Sequence, residues 1–245
     1  MPLVRALERW DLERPITILV GENGSGKSTL LEGLAVAAGL PALGAEDVQT
    51  DPTLRAARDL ARCLRLRWSR RTHRGFFLRA EDFFSFSKRV AALRAGLCTD
   101  LGEMEARFAD RPAQARALAT GPLRKELAAL QERYGLDPDA ASHGETFLRI
   151  FQSRAVPGGL YVLDEPEAAL SPTRQLGLVA LLGDLAGEGC QFVLATHSPV
   201  LMAAPGAAIF SCDEPPLRRV AYADLPAVTL LRDFLNRPEQ FLRRL

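Results

Sequence analysis

Eight consecutive residues, Gly21-Glu22-Asn23-Gly24-Ser25-Gly26-Lys27-Ser28, satisfy the pattern G-x-x-x-x-G-K-[ST], the composition of a loop that wraps phosphates. Glycines at 21, 24 and 26 permit backbone conformations that a Cβ would oppose, so successive N–H groups can turn inward toward an anion. Lys27 can reach β- and γ-phosphates, and the Ser28 hydroxyl can coordinate Mg²⁺. Asn23, Gly24, Ser25, Gly26, Lys27, Ser28 and Thr29 are accordingly the candidate nucleotide-binding residues, with a nucleotide's phosphates and Mg²⁺ as the implied ligands. A glycine-rich turn that binds nothing is the competing reading. The joint presence of Gly21, Gly26, Lys27 and Ser28 argues against it.

A second set of reactive residues lies far downstream. The apolar run Leu160-Tyr161-Val162-Leu163 leads directly into Asp164-Glu165-Pro166, which is how a central strand delivers two carboxylates beside bound phosphates. Asp164 would hold Mg²⁺ through its water shell, and Glu165 would polarise an attacking water. Another apolar run, residues 191–195, ends at Thr196-His197-Ser198-Pro199. His197 stands 32 residues after Glu165, where it could contact a γ-phosphate; a surface histidine after a strand is the alternative. Glu165, His197 and Lys27 are the candidate catalytic residues, and Ser28 and Asp164 the candidate metal ligands.

These groups need a scaffold that brings distant segments to one edge. Residues 15–20 are short, apolar and β-rich, and the stretch after Lys27 has helical period, so the phosphate loop sits between strand and helix. Residues 1–10 suggest a first strand, with Trp10 either stacking on adenine or packing at an edge. Residues 53–66 read as a helix, and residues 75–81 as a turn followed by a short buried strand. Arg62, Arg65, Arg67, Arg70, Arg71, Arg74 and Arg79 cluster here and read as a solvated surface, with DNA or a partner protein as the alternative occupant. Residues 82–135 are mostly helical but broken at Gly121-Pro122, which gives a compact lobe rather than a long coiled coil. Ser142-His143-Gly144-Glu145 opens an amphipathic helix and has the form of an N-cap with a capping-box glutamate. Two short strands within 207–222 and two short helices within 226–245 complete the pattern.

The bulk numbers bound the function. With 245 residues, 47% apolar content and a net charge of +1, a substantial core is expected and no global basic field recruits nucleic acid. Cys63, Cys98, Cys190 and Cys212 form no C-x-x-C pair, which argues against a zinc site or a disulfide framework. No signal-peptide stretch opens the sequence and no apolar run approaches a membrane span, so direct membrane insertion is not expected and a cytoplasmic location is.

Taken together, these residues resemble the ABC-type ATPases, and within them the stand-alone bacterial ATPases related to the SMC and RecF-like class. The resemblance implies an α/β P-loop NTPase fold, a mixed central sheet flanked by helices, in one domain over 1–245 with a helical lobe inserted at about 82–157. It identifies residues 21–28 with the Walker A loop, 160–165 with Walker B and the catalytic glutamate, and His197 with the switch histidine. Ser142, His143, Gly144 and Glu145 match the signature motif, in an S-x-G-E form closer to SMC-like proteins than to transporters. A signature of this kind caps ATP held by a second subunit, which implies a homodimer that closes head to tail on two ATP. Ser171 stands where the family has its D-loop aspartate, and no glutamine stands near Ala80 and Glu81, where the Q-loop is expected. Glu81 could approach the metal there, and slow hydrolysis is implied. Three functions compete: an ATPase driving a DNA-repair, recombination or defence partner, which is either an effector protein or DNA itself; the nucleotide-binding subunit of a membrane transporter; and an ATP-gated binding module with negligible turnover.

Overall fold

The computed structural model describes residues 2–43, 55–134 and 143–243. The chain enters through a short helix, α1 (Pro2–Ala6), and then β1 (Ile16–Val20), α2 (Lys27–Ala38) and α3 (Arg55–Cys63). Next come β2 (Gly75–Arg79), α4 (Ala80–Arg107), α5 (Ala113–Tyr134) and α6 (His143–Arg154). β3 (Leu160–Asp164), a 3-10 turn (Pro166–Ala169), α7 (Pro172–Gly187), β4 (Gln191–Ala195) and α8 (Pro199–Met202) follow. The last elements are β5 (Ala208–Ser211), β6 (Arg218–Val220), a 3-10 turn (Tyr222–Asp224), α9 (Pro226–Asn236) and α10 (Pro238–Leu242).

Six strands form one sheet in the order β2-β3-β4-β1-β5-β6. All neighbours run parallel except β6, which returns antiparallel to β5. A parallel sheet must be covered on both faces, and the central strands are accordingly apolar at nearly every position rather than alternating. Ile16, Ile18, Tyr161, Leu163, Phe192 and Leu194 face a core built with α6 and α7. Leu19, Leu160, Val162, Val193 and Ala195 face the other core, under α1, α2 and α3. The sheet is therefore mixed and sandwiched between helical layers, and α4, α5 and α6 are all inserted between β2 and β3.

Two local expectations are corrected. Residues 2–6 are helical, not a strand: Pro2 occupies a first-turn position where its missing N–H is no loss, and Leu3 is buried in the core. No strand position is open beside β1, because β4 and β5 occupy both its edges. Gly121-Pro122 does not break the second helix of the lobe. Pro122 lies inside α5 with its ring exposed, and Leu118, whose carbonyl loses its helical donor, is 75% exposed, so water can replace the bond. The break falls at 108–112 instead, where Pro112 forces Arg111 out of helical geometry.

Candidate functional site

β1, β3 and β4 lie side by side, and their carboxyl ends carry the phosphate loop, Asp164-Glu165 and His197 respectively. Ligands of open α/β sheets bind at that edge. The register is tight: Asp164 stands opposite Ala195, and Ala195 opposite Leu19.

In the loop, Gly21, Gly24 and Gly26 all have positive φ, at 146, 83 and 101°. Gly26 is the N-cap of α2 and supplies no side chain, so the first N–H groups of that helix are left for an anion. Lys27 is only 4% exposed and donates from Nζ to the Gly21 carbonyl at 2.7 Å and the Glu22 carbonyl at 2.9 Å. Asn23, Gly24, Gly26, Lys27, Ser28, Thr29 and Glu165 line one concavity; Ser25 has a buried hydroxyl without a partner.

Asp164 is 8% exposed and hydrogen-bonds Ser28, while its Oδ1 is buried without a partner. Burial pushes its carboxyl up to about 6; repulsion from Glu165 and Glu167 adds to this, and the Ser28 hydroxyl and Lys27 oppose it. An orphaned carboxylate oxygen beside a serine hydroxyl, open to phosphate oxygens and water, suits a hard divalent cation such as Mg²⁺. No cluster of three or more His, Cys, Asp or Glu side chains with metal-binding placement occurs among the described residues.

Glu165 is the one non-glycine residue with positive φ among those described, at φ 49 and ψ 49°. Such a conformation costs on the order of 1–3 kcal/mol and persists where the surroundings enforce it. Its N–H donates to the Ala195 carbonyl at 2.9 Å, which holds the turn and leaves the carboxylate half-exposed at the loop. His197 Nε2 lies 3.7 Å from Glu165 Oε1. The site thus brings together Lys27, Ser28, Asp164, Glu165 and His197.

Several other positions singled out in the sequence lie away from this concavity. Gly144 and Glu145 do not line the phosphate concavity of their own chain. Gly144 packs against the Ala169 carbonyl and Arg174, and the Glu145 carboxylate pairs with Arg149 at 2.8 Å and Arg174 at 3.0 Å. Ser142 and the side chains of His143 and Glu81 lie outside the described residues. Arg79 is not part of the exposed arginine cluster: it is 9% exposed, forked onto Asp82 at 2.7 and 3.1 Å, with Glu32 at 3.7 Å. Trp10 packs edge-on against Phe210 with centroids 6.0 Å apart, as an edge aromatic would. Ser171 caps α7, accepting from the Arg174 N–H at 3.4 Å.

Two residues that the sequence reading missed touch this machinery. Glu167 Oε1 accepts from the His197 N–H at 2.6 Å, and its other oxygen is buried without a partner. Asp213, in the turn after β5, accepts from the Glu22 N–H at 2.6 Å and so fixes the entry of the phosphate loop. A carboxylate two residues after Glu165 was a usable signal; nothing marked Asp213, 191 positions from its partner.

Residues 42–203 match the family model described as "AAA domain, putative AbiEii toxin, Type IV TA system", and residues 5–51 match one described as "AAA domain". The chain is 32% identical over 187 residues to the "Pyoverdine export ATP-binding/permease protein PvdT" of Pseudomonas entomophila, covering 73% of this chain and 25% of that protein. It is 31% identical over 183 residues to a "Putative ABC transporter ATP-binding protein" of Methanosarcina acetivorans, covering 73% and 62% respectively. The chain therefore spans between 25% and 62% of the length of these relatives. Among solved structures, the Smc head domain from Pyrococcus furiosus bound to the C-terminal domain of ScpA aligns with a TM-score of 0.41 at 12% identity, over 89% of this chain and 93% of that one. With residues 42–203, more than half of its length, matched by one family model, the chain belongs to that AAA domain family.

Proposed function

We propose that this chain is an ATP-hydrolysing switch in which two copies meet head to tail around two ATP, and that the closed pair drives an effector in DNA repair, recombination or defence. The observation that carries the reading is the meeting of Lys27, Ser28, Asp164, Glu165 and His197 at the ends of three adjacent strands, with one oxygen of Asp164 left orphaned. Lys27 exchanges its two loop carbonyls for β- and γ-phosphate oxygens. Ser28 and Asp164 would hold Mg²⁺, which when bound neutralises charge on the phosphates; Glu81 is a further candidate neighbour of that ion. Glu165, pre-turned by its strained backbone, orients and polarises the attacking water, and His197 contacts the γ-phosphate beside it.

The lobe at about 82–157 presents Ser142, His143, Gly144 and Glu145 to the nucleotide of the second copy. The link from Glu145 to Arg174 in α7 supports this, because it ties the signature helix to the element that begins at Ser171. Hydrolysis is slow in this reading, since neither a Q-loop glutamine nor a D-loop aspartate is present. A coupling of this kind is typically worth about 1–3 kcal/mol. Glu165→Gln is expected to bind ATP and trap the closed pair, which sizing chromatography in saturating Mg·ATP would register as a dimer. A monomer under those conditions sinks the switch.

A second reading, the nucleotide-binding subunit of a transporter, is favoured by the names of the two curated relatives. Among the described residues no helix is long and apolar enough to cross a membrane, so in that reading the membrane-spanning part lies outside them. Phosphate release measured with and without DNA, and with candidate membrane subunits, separates the two readings from each other and from a binding module that scarcely turns over.

A further inference from the structure

The chain as a whole is nearly neutral, yet its charge is sharply sorted. Residues 55–74 hold eight arginines against one carboxylate, Asp59, a net charge of +7. The other residues, with 23 basic and 29 acidic side chains, sum to −6. After α3 the chain runs without regular structure from 64 to 74; side chains alternate between half-buried and exposed over 64–68, and 69–71 are all exposed. Leu66 and Trp68 turn inward against the core beneath α2, while Arg65, Arg67, Arg70 and Arg71 are exposed. Among the described residues no carboxylate pairs with these four, whereas Arg62 is matched by Asp59 at 3.0 Å and Arg74 bonds the Pro157 carbonyl.

We infer that this arginine face is a docking surface for the phosphate backbone of a nucleic acid. Guanidinium groups fork onto phosphate oxygens and stay charged at every accessible pH. Leu66 and Trp68 anchor the segment on the core and leave the arginines on both sides of them facing solvent, within reach of a chain of successive anions. An anionic membrane fits less well: none of the large exposed apolar side chains among the described residues lies between 55 and 74, so the face offers guanidinium groups rather than apolar side chains. The strip enters β2 at its amino end, whereas the nucleotide residues occupy the carboxyl ends of β1, β3 and β4, so a polymer on the arginines leaves the ATP site open. The inference deepens the DNA-directed side of the proposed function and needs no nucleotide.

The test is fluorescence anisotropy with labelled duplex DNA, single-stranded DNA and RNA, without nucleotide, over a salt series. At least one polymer is expected to bind, with log affinity falling against log salt at a slope near −3 to −4 if four phosphates are neutralised. The variant Arg65→Ser/Arg67→Ser/Arg70→Ser/Arg71→Ser is expected to lose nearly all of that slope, and about 100-fold or more in affinity at low salt, while its basal ATPase is unchanged. Identical binding by both proteins, binding to none of the polymers, or binding only to anionic vesicles overturns the inference. A polymer-bound protein that never dimerises in ATP sinks the switch alone; a trapped Glu165→Gln dimer that binds no polymer sinks the arginine surface alone.

Discussion

Lys27 and Glu22 show how much of the phosphate loop is settled before any ligand arrives. The lysine is already tied to two loop carbonyls, and the loop entry is pinned by Asp213. Asp213→Ala leaves the Glu22 N–H without its carboxylate partner and loosens binding without touching the reacting atoms. Steady-state kinetics are expected to show KM for ATP raised about fivefold, roughly 1 kcal/mol, with kcat unchanged, and Asp213→Asn restoring most of the loss. A fall in kcat at constant KM would contradict this. Asp164 carries a pH signature in metal-free protein. Its carboxyl gives up its proton near 3.8 when unfolded and at about 6 when folded, so between those values the folded state holds more protons and stability falls as pH rises. Above about pH 6 the buried charge costs about 3 kcal/mol. Asp164→Asn removes that cost: in chelator, thermal unfolding is expected to find the variant more stable than the parent at pH 8, with the gap closing near pH 4. A gap that ignores pH would mean that Asp164 is not held as described.

At the level of elements, the buried fork of Arg79 on Asp82 joins the end of β2 to the start of α4, and Glu32 ties it to α2. Removing Asp82 takes away the two shortest bonds of a buried guanidinium and leaves Glu32 as its more distant partner, so Asp82→Ala is expected to lower unfolding stability by about 2 kcal/mol in a denaturant titration. Asp59→Ala, at the exposed Arg62 pair, should shift it by under about 0.5 kcal/mol. Equal shifts would show that the buried fork has no special role. The same contrast explains what the sequence disclosed. Strands buried on both faces announced themselves as apolar runs, and β4 falls at 191–195 as its pattern required. The phosphate loop and the two acids were legible because their chemistry demands adjacent residues. Residues 2–6 were misread because five residues cannot separate a period of 3.6 from one of 2, and Pro122 because its position on a wet helix face is a tertiary fact. Arg79 looked like one more surface arginine, since its partners lie on two other elements. Asp213 and Glu22 meet only through the order of strands β1 and β5.

Across the whole molecule, the proposed ATP site and the proposed polymer site share α2. Lys27 begins that helix at the nucleotide end, and Leu60 of α3 packs so closely on Gly33 that an added Cβ there would meet it at 2.6 Å. A Glu165→Gln pair trapped by ATP is accordingly expected to alter polymer affinity, and by linkage the polymer to alter ATP affinity by the same factor. The strands between the two ends are five residues long, about 17 Å of extended chain, about twice the screening distance at physiological salt. Bound triphosphate and bound polymer therefore scarcely feel each other's charge through solvent. Any influence of one occupancy on the other must therefore pass through the packed side chains of α2 and α3.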